Sequence, residues 1–118
     1  MTDKSPRRIM LETSLAADPA DPFLRYGLAV QCLRDGAVAE GRERLIALIG
    51  DHPQDQVAAH QMLGQSYAES DEPDAAKAIL DAGITLANRR GDWHAAGEME
   101  GLRSQLIESA SGASGDGG

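Results

Sequence analysis

The feature that most constrains the fold is a pattern of large and small apolar residues that occurs twice. In the second copy, Leu63-Gly64 is followed by Tyr67, and Ala76 is followed by Leu80. Subtracting 35 from these positions gives the first copy, which consists of Leu28, Ala29, Cys32, Gly41 and Leu45. Each large site maps to a large or medium apolar residue, and each small site to a small one. Repetition at such a period predicts stacked copies of one supersecondary unit.

The spacing has a physical reason in helix packing. The distance between two helix axes depends on the side chains at their contact, so antiparallel helices approach most closely where both carry small residues. We expect Ala29 to face Gly41, and Gly64 to face Ala76, at such contacts. Larger leucines then fill the space on either side. The pattern therefore predicts two helical hairpins.

Residues typical of helix ends place the boundaries. Asp21-Pro22 has the order of an N-cap followed by proline at the first helical position, and Glu72-Pro73-Asp74 is predicted to open another helix in the same way. Gly36 is predicted to end the helix before it. These signals predict helices near 22–35, 38–50, 56–70 and 73–89.

The flanking segments are also predicted to be helical. Residues 6–17 place Leu11 34 positions before Leu45, as in the second helix of a repeat whose first helix is missing. At the other end, Gly91-Asp92 begins a predicted capping helix over 92–108. Trp93 is expected to seal this helix, and the alternative is that it marks a second contact surface. The apolar stripe of the helix consists of Ala95, Met99, Leu102 and Leu106. The Gly/Ser-rich residues 109–118 are predicted to be a disordered tail.

The Leu-Gly-x-x-Tyr and Ala-x-x-x-Leu spacing resembles the frame of the tetratricopeptide repeat, with Leu80 at a site where that family has Phe. Pro53 stands where the repeat has its proline. On this resemblance the chain is identified as a short stand-alone bacterial member of the family. The implied fold is an all-α solenoid of two full helix-turn-helix repeats, flanked by an N-terminal half-repeat helix and a C-terminal capping helix. It forms one domain over 1–108, with repeat one at 22–54 and repeat two at 57–90.

The resemblance also implies a role, which is to present a concave groove to a peptide or protein. First-helix residues line that groove in the family. The implied binding residues are Phe23, Tyr26, Val30, Leu33 and Arg34 in repeat one, with Gln61, Gln65 and Glu69 in repeat two. Tyr26 would be an aromatic anchor, and the two glutamines would pair with a peptide backbone. The alternative is that Phe23, Tyr26 and Val30 only pack against neighbouring helices.

Relatives that capture a C-terminal carboxylate use basic residues and Asn at the centre of the groove. Here the corresponding positions hold Tyr26, Val30, Gln61 and Gln65. We therefore do not expect carboxylate capture.

Charge and hydropathy exclude other classes of partner. The net charge of −8 repels phosphates, so neither nucleic acid nor an anionic membrane surface is expected as a partner. An acidic surface instead favours a basic partner. No apolar run approaches the roughly 20 residues of a membrane span. We predict a cytoplasmic location.

The cysteine and the histidines do not form a predicted catalytic or metal site. Cys32 falls on a core position, where burial makes a thiol inert. His52, His60 and His94 lack the spacing of metal ligands. We therefore predict no catalytic residue, metal or cofactor, and a protein that is not an enzyme. Two alternatives stay open: a self-associating structural protein that forms a homodimer through an end helix and, more remotely, a small enzyme.

Overall fold

The computed structural model describes the backbone of residues 4–116 and the side chains of residues 4–109. This part of the chain is helical and contains no strand, so the predicted all-α fold class is confirmed. The six helices are α1 (Pro6–Ala17), α2 (Pro22–Arg34), α3 (Val38–Asp51), α4 (Val57–Glu69), α5 (Pro73–Arg90) and α6 (Trp93–Asp116). The predicted ranges of the first five helices agree with these bounds to within one residue at each end.

The chain divides into two compact units, Met1–Ala59 and His60–Gly118. The division falls inside α4 rather than in the turn that separates the two predicted repeats. The prediction of one domain over residues 1–108 stays a prediction. The first unit holds α1, α2, α3 and the first turn of α4, and the second holds the rest of α4 with α5 and α6.

Side-chain caps fix where α1 and α2 begin. The hydroxyl of Ser5 accepts a hydrogen bond from the Arg8 amide at 3.2 Å, and a carboxylate oxygen of Asp21 accepts one from the Phe23 amide at 2.8 Å. A proline follows each cap at a position where its missing N–H is no loss. The Asp92 side chain also caps the start of α6, where it accepts a hydrogen bond from the Ala95 amide at 3.1 Å.

Three helices end in the same backbone turn, in which one residue adopts a left-handed conformation. Gly36 has a φ of +86° after α2, and the Ala37 amide donates to the Cys32 carbonyl at 2.8 Å. Gly91 has a φ of +74° after α5. After α4 the corresponding residue is Asp71, with a φ of +57°. Glycine is the residue that takes this conformation without steric cost, so Asp71 is the strained member of the set.

The core of the first unit is made of leucines and small residues. Fully buried Leu28, Leu45 and Leu48 fill the space between α2 and α3. Gly41 lets the helices approach closely, because a Cβ built on it would lie 3.0 Å from the Ala29 carbonyl oxygen and 2.7 Å from Leu33 Cδ2. The expected close approach of Ala29 and Gly41 is therefore present.

Two glycines organise the core of the second unit. A Cβ built on Gly64 would lie 2.6 Å from Leu80 Cδ2, and one built on Gly83 would lie 2.7 Å from Met99 Sδ. Leu80 of α5 thus packs against Gly64 of α4, and Met99 of α6 packs against Gly83 of α5. Leu63, Leu80 and Met99 are fully buried.

Four details differ from the expectations. The nearest neighbour of Gly64 is the branched end of Leu80 and not Ala76, so a leucine rather than a second small residue fills the close contact. The Glu72 side chain makes no cap bond at the start of α5. Trp93 is 69% exposed and does not seal the last helix.

The fourth difference concerns the end of the chain. α6 extends to Asp116, past the predicted end at residue 108 and into the segment predicted to be disordered. Nothing between Ser109 and Asp116 interrupts a helical backbone sterically, because that segment contains no proline. Residues 117 and 118 of the predicted tail lie outside the described residues.

Candidate functional site

The first unit contains an apolar cleft of about 360 Å³ at the start of α2. It is lined by Pro22, Phe23, Tyr26, Asp55, Gln56 and Ala58. The first three come from α2, the next two from the turn between α3 and α4, and Ala58 from the first turn of α4. Phe23 and Tyr26 are three residues apart, so they lie on the same face of α2. Two of the predicted binding residues therefore line one cleft.

Phe23 is the most exposed large apolar side chain in the described part of the chain, at 87%. The local backbone explains its place: Asp21 caps α2 through the amides of Phe23 and Leu24, which fixes the direction in which the helix leaves the turn. A phenyl ring so placed gains little from folding, because it remains almost as hydrated as in the unfolded chain. The ring is therefore available to a partner at little cost to the fold.

Tyr26 is half-buried, with its ring forming a wall of the cleft. Burial raises the pKa of its phenol, an effect that the positive charge of Arg34 partly opposes. The phenol is therefore neutral at physiological pH. It offers the cleft an aromatic face and a hydroxyl group that can both donate and accept a hydrogen bond.

The other predicted residues of α2 have different surroundings. Val30 is partly buried, and Arg34 is exposed at the end of the helix. Leu33 packs its branched end against Gly41, so part of its surface serves the hairpin rather than the outside. Leu33 therefore contributes to the packing of α2 against α3.

The three predicted residues of repeat two lie in the second unit, on α4. The Gln65 amide donates to the Glu69 carboxylate at 3.0 Å. The Gln61 amide lies 3.5 Å from a carboxylate oxygen of Glu98 on α6, and His94 Nε2 lies 3.3 Å from the same oxygen. Both glutamines thus already face carboxylates of their own unit.

A polar cluster that the sequence did not predict holds α1 to the first hairpin. Arg8 is only 7% exposed, and its Nη2 lies 2.6 Å from Oε1 of Glu40 on α3. Its Nε also contacts Glu12 at 3.4 Å. The sequence did carry a signal: Arg8 precedes Leu11 by three residues and Leu15 by seven, which places the arginine on the apolar face of α1.

The same cluster continues at the start of α1. The Ser5 hydroxyl donates to Asp35 at 2.7 Å, and the Gln31 amide donates to the same carboxylate at 2.9 Å. These two hydrogen bonds, the Ser5 bond first, lower the pKa of Asp35. A hydrogen bond from Arg44, followed by the bond from Arg8, lowers the pKa of Glu40 although partial burial opposes the shift. Both carboxylates are therefore ionised, and both accept hydrogen bonds from neighbouring side chains.

Cys32 lies beside this cluster and is fully buried. Its thiol donates a long hydrogen bond to Glu40, with 3.7 Å between sulfur and oxygen. Burial, reinforced by the negative charge of Glu40, raises the pKa of the Cys32 thiol. The thiol is therefore protonated and inaccessible, and it has the properties of a core residue rather than of a nucleophile.

Metal binding and membrane crossing can both be addressed for residues 4–116. Within this range, no three His, Cys, Asp or Glu residues are grouped so that they could hold a metal ion. Of the helices in this range, none combines the length and the apolar character that crossing a bilayer requires.

A second cleft in the first unit, of about 520 Å³, differs from the first in its charges. Its two arginines are paired within the chain: Arg25 with Asp51 at 2.8 Å, and Arg44 with Glu40 at 2.9 Å. The remaining lining residues are Leu15, Pro19, Ala20 and Ala47. This second cleft holds no aromatic side chain, and its charges are already paired. The cleft at Phe23 is therefore the stronger candidate for a binding site.

The fold is that of an all-α protein built from helical hairpins. Several solved structures are similar to it. A tetratricopeptide repeat domain protein from Salinibacter ruber, solved by NMR, has a TM-score of 0.71 and 28% identity over 75% of this chain and 89% of its own. A crystal structure of a tetratricopeptide repeat domain protein from the same organism has a TM-score of 0.68 and 26% identity, covering 74% and 97%. A protein from Bordetella parapertussis shares the fold, with a TM-score of 0.78, 20% identity and coverage of 89% and 90%.

No family model and no curated protein matches the chain. The likeness in fold and the repeat frame in the sequence nevertheless agree. The chain therefore has an all-α fold of the tetratricopeptide-repeat type.

Proposed function

We propose that this chain is a non-catalytic protein-protein interaction module, an adaptor or scaffold that binds a peptide or protein segment. The likeness to tetratricopeptide repeat domain proteins suggests a protein-interaction module in general terms. The observation that carries the specific proposal is the exposed Phe23 ring beside Tyr26 in an apolar cleft. Burying such a ring in an interface is the kind of contact that dominates binding energy.

The predicted residues take separate roles in this proposal. Phe23 and Tyr26 are the anchors of the first unit, while Val30, the exposed side of Leu33 and Arg34 extend the contact along α2. In the second unit, Gln61, Gln65 and Glu69 on α4 supply amides and a carboxylate for polar contacts with a peptide backbone. These amides donate within the unit, so a partner has to exchange those hydrogen bonds for its own.

A non-catalytic role is part of the proposal, and the polar side chains of the first unit support it. The polar cluster around Arg8 and Glu40 consists of ion pairs and hydrogen bonds whose members satisfy one another. A catalytic site instead needs convergent polar groups that face an open space where a substrate can lie. Among the clefts of the first unit, the one at Phe23 has mainly apolar walls, and the one at Arg25 has arginines that are already paired. A cytoplasmic location belongs to the same proposal.

A random-peptide display selection against the full chain tests the proposal. Peptides recovered with the wild-type protein are synthesised, and their affinity is measured by fluorescence polarisation for the wild type and for Phe23→Ala and Tyr26→Ala variants. Ile46→Ala is the matched control, because Ile46 is a large apolar residue that is 49% exposed on α3 and does not line the cleft. We expect at least a tenfold loss for Phe23→Ala and none for the control. Unchanged binding by both cleft variants would exclude this site.

A second candidate function is self-association, which one observation favours. Ile9 and Met10 are adjacent, large and more than half exposed on α1, so this end helix presents apolar surface without a described neighbour. A homodimer would bury that surface. Light scattering over a concentration series tests the idea: a mass that rises to twice the monomer in the wild type, but not in an Ile9→Ser/Met10→Ser variant, supports it. A monomer at every concentration ends it.

A further inference from the structure

The cleft at Phe23 combines two aromatic rings and one carboxylate, and its lining contains no Lys, Arg or His. We propose that it receives an arginine side chain carried by a basic segment of the partner. This inference rests on the proposed function and specifies the partner's chemistry. It is a different claim from carboxylate capture, for which the cleft lacks the basic residues.

The aromatic rings are the first reason. A guanidinium group is planar and weakly hydrated, and it stacks on aromatic faces by cation–π attraction. Phe23 offers an almost fully exposed ring, and Tyr26 offers a second ring that is held by partial burial. Pro22 and Ala58 complete the apolar wall and can cover the methylene stem of an arginine, as apolar surfaces do for long basic side chains.

The carboxylate is the second reason. Asp55 is exposed at the cleft, and the Gln56 amide donates to its Oδ1 at 3.0 Å, a bond that orients the carboxylate without neutralising it. Asp51 of the same unit, by contrast, has a cation of its own chain, Arg25 at 2.8 Å. A carboxylate such as that of Asp55 can accept charge-assisted hydrogen bonds from a guanidinium group.

The helix dipole of α2 opposes the binding of a cation, and a nearby carboxylate offsets this effect. The N-terminus of α2 carries a partial positive charge, which would repel a cation in the cleft. Asp21 caps that end by accepting from the amides of Phe23 and Leu24 at 2.8 and 3.3 Å. A negative charge therefore already lies at the helix end and offsets its partial positive charge.

The second unit, taken by itself, is acidic. Residues 60–118 contain ten acidic and four basic side chains. The binding residues proposed there lie beside acids: Gln65 donates to Glu69, and Gln61 lies near Glu98. A partner that contacts these residues meets negative charge, so complementarity favours Lys and Arg in the partner.

The test uses two probes with the full chain. The first is N-acetyl-arginine amide, titrated while the side-chain signals of Phe23, Tyr26 and Gln56 are followed by NMR, with the citrulline and norleucine amides as matched neutral probes. The second is a display-selected peptide in which one arginine is replaced by citrulline or norleucine. We expect only arginine to shift the cleft signals, and peptide affinity to fall about tenfold on replacement.

The variant Asp55→Asn decides whether the cleft carboxylate is responsible. It should remove the difference between the arginine and citrulline peptides, whereas Glu43→Gln, an exposed acid of α3 outside the cleft, should leave that difference intact. Equal binding of norleucine and arginine would overturn the arginine proposal while leaving peptide binding at the cleft intact. Selected peptides that ignore Phe23→Ala, together with no shift of the cleft signals by any probe, would overturn both proposals.

Discussion

Arg8 Nη2 lies 2.6 Å from Glu40 Oε1, and this ion pair joins the first helix to the third. Arg8 is almost completely buried, so it could not remain charged at low cost without the carboxylate. The pair holds α1 against the hairpin of α2 and α3, although Ile9 and Met10 on the same helix stay exposed. A polar contact, and not apolar packing alone, therefore holds α1 in place.

Replacing Arg8 tests that conclusion. Arg8→Met keeps much of the side-chain length but leaves Glu40 without one of its two arginines, so we expect a lower melting temperature and faster amide hydrogen exchange in α1. Arg7→Met is the control, because Arg7 is the exposed neighbour on the same helix. Equal exchange rates in α1 for the two variants would mean that the ion pair does not secure the helix.

The same cluster predicts how stability depends on pH. Hydrogen bonding by Arg44 lowers the pKa of Glu40, and hydrogen bonding by Lys4 lowers the pKa of Glu12. A carboxyl whose pKa is depressed in the folded state stabilises the fold above its unfolded value, about 4.3 for glutamate, and loses that contribution as the pH falls through the folded value.

We therefore expect the free energy of unfolding to fall as the pH is lowered below about 4. Urea unfolding followed by circular dichroism at neutral and acidic pH measures this change. Glu40→Gln should be less stable at neutral pH and should lose less on acidification than the wild type. An identical pH profile for both proteins would show that Glu40 does not contribute to the dependence.

The close contact at Gly64 predicts that a methyl group there is costly. The added Cβ would lie 2.6 Å from Cδ2 and 2.8 Å from Cγ of Leu80, which is fully buried and has little room to move. We expect Gly64→Ala to lower the free energy of unfolding by about 1–3 kcal/mol. Gly97→Ala is the control, since its Cβ would meet no atom within 4 Å and alanine favours a helix by about 0.5–1 kcal/mol. Stabilisation by both substitutions would contradict the close contact.

Backbone strain predicts a stabilising substitution. The left-handed conformation costs a non-glycine residue roughly 1–2 kcal/mol, and part of the gain on introducing glycine is offset by the entropy of the unfolded chain. Asp71 has a φ of +57°, so Asp71→Gly should raise the free energy of unfolding by up to about 1 kcal/mol. Gly36→Ala, at a φ of +86°, should lower it by a similar amount. Denaturant unfolding measures both changes, and the same sign for the two would contradict the strain argument.

The helices could be predicted closely because local chemistry marks their ends. Pro22 with its Asp21 cap, Pro73, Gly36 and Gly91 all act through the backbone of a few neighbouring residues. The repeated small sites likewise identify helix contacts, as Gly41 illustrates. Such signals need no knowledge of tertiary structure.

Other features depend on tertiary placement and could not be predicted in the same way. The pattern predicts a small site at Gly64, but which side chain enters it depends on rotamers, and Leu80 fills the place expected for Ala76. Arg8 reaches Glu40 across 32 residues of sequence, and Asp55 joins the cleft from a turn that carries no binding signal of its own. In the candidate site, the aromatic residues were therefore predictable and the carboxylate was not.

The most direct test of the proposed function is the affinity of a display-selected peptide for the wild type and for Phe23→Ala. Because Phe23 is 87% exposed, the substitution should leave the free energy of unfolding nearly unchanged, so any lost affinity reports on the surface and not on the fold. We predict at least a tenfold loss of affinity with an unchanged melting temperature. Equal affinity of the two proteins for every selected peptide would contradict the assignment of this cleft as the binding site.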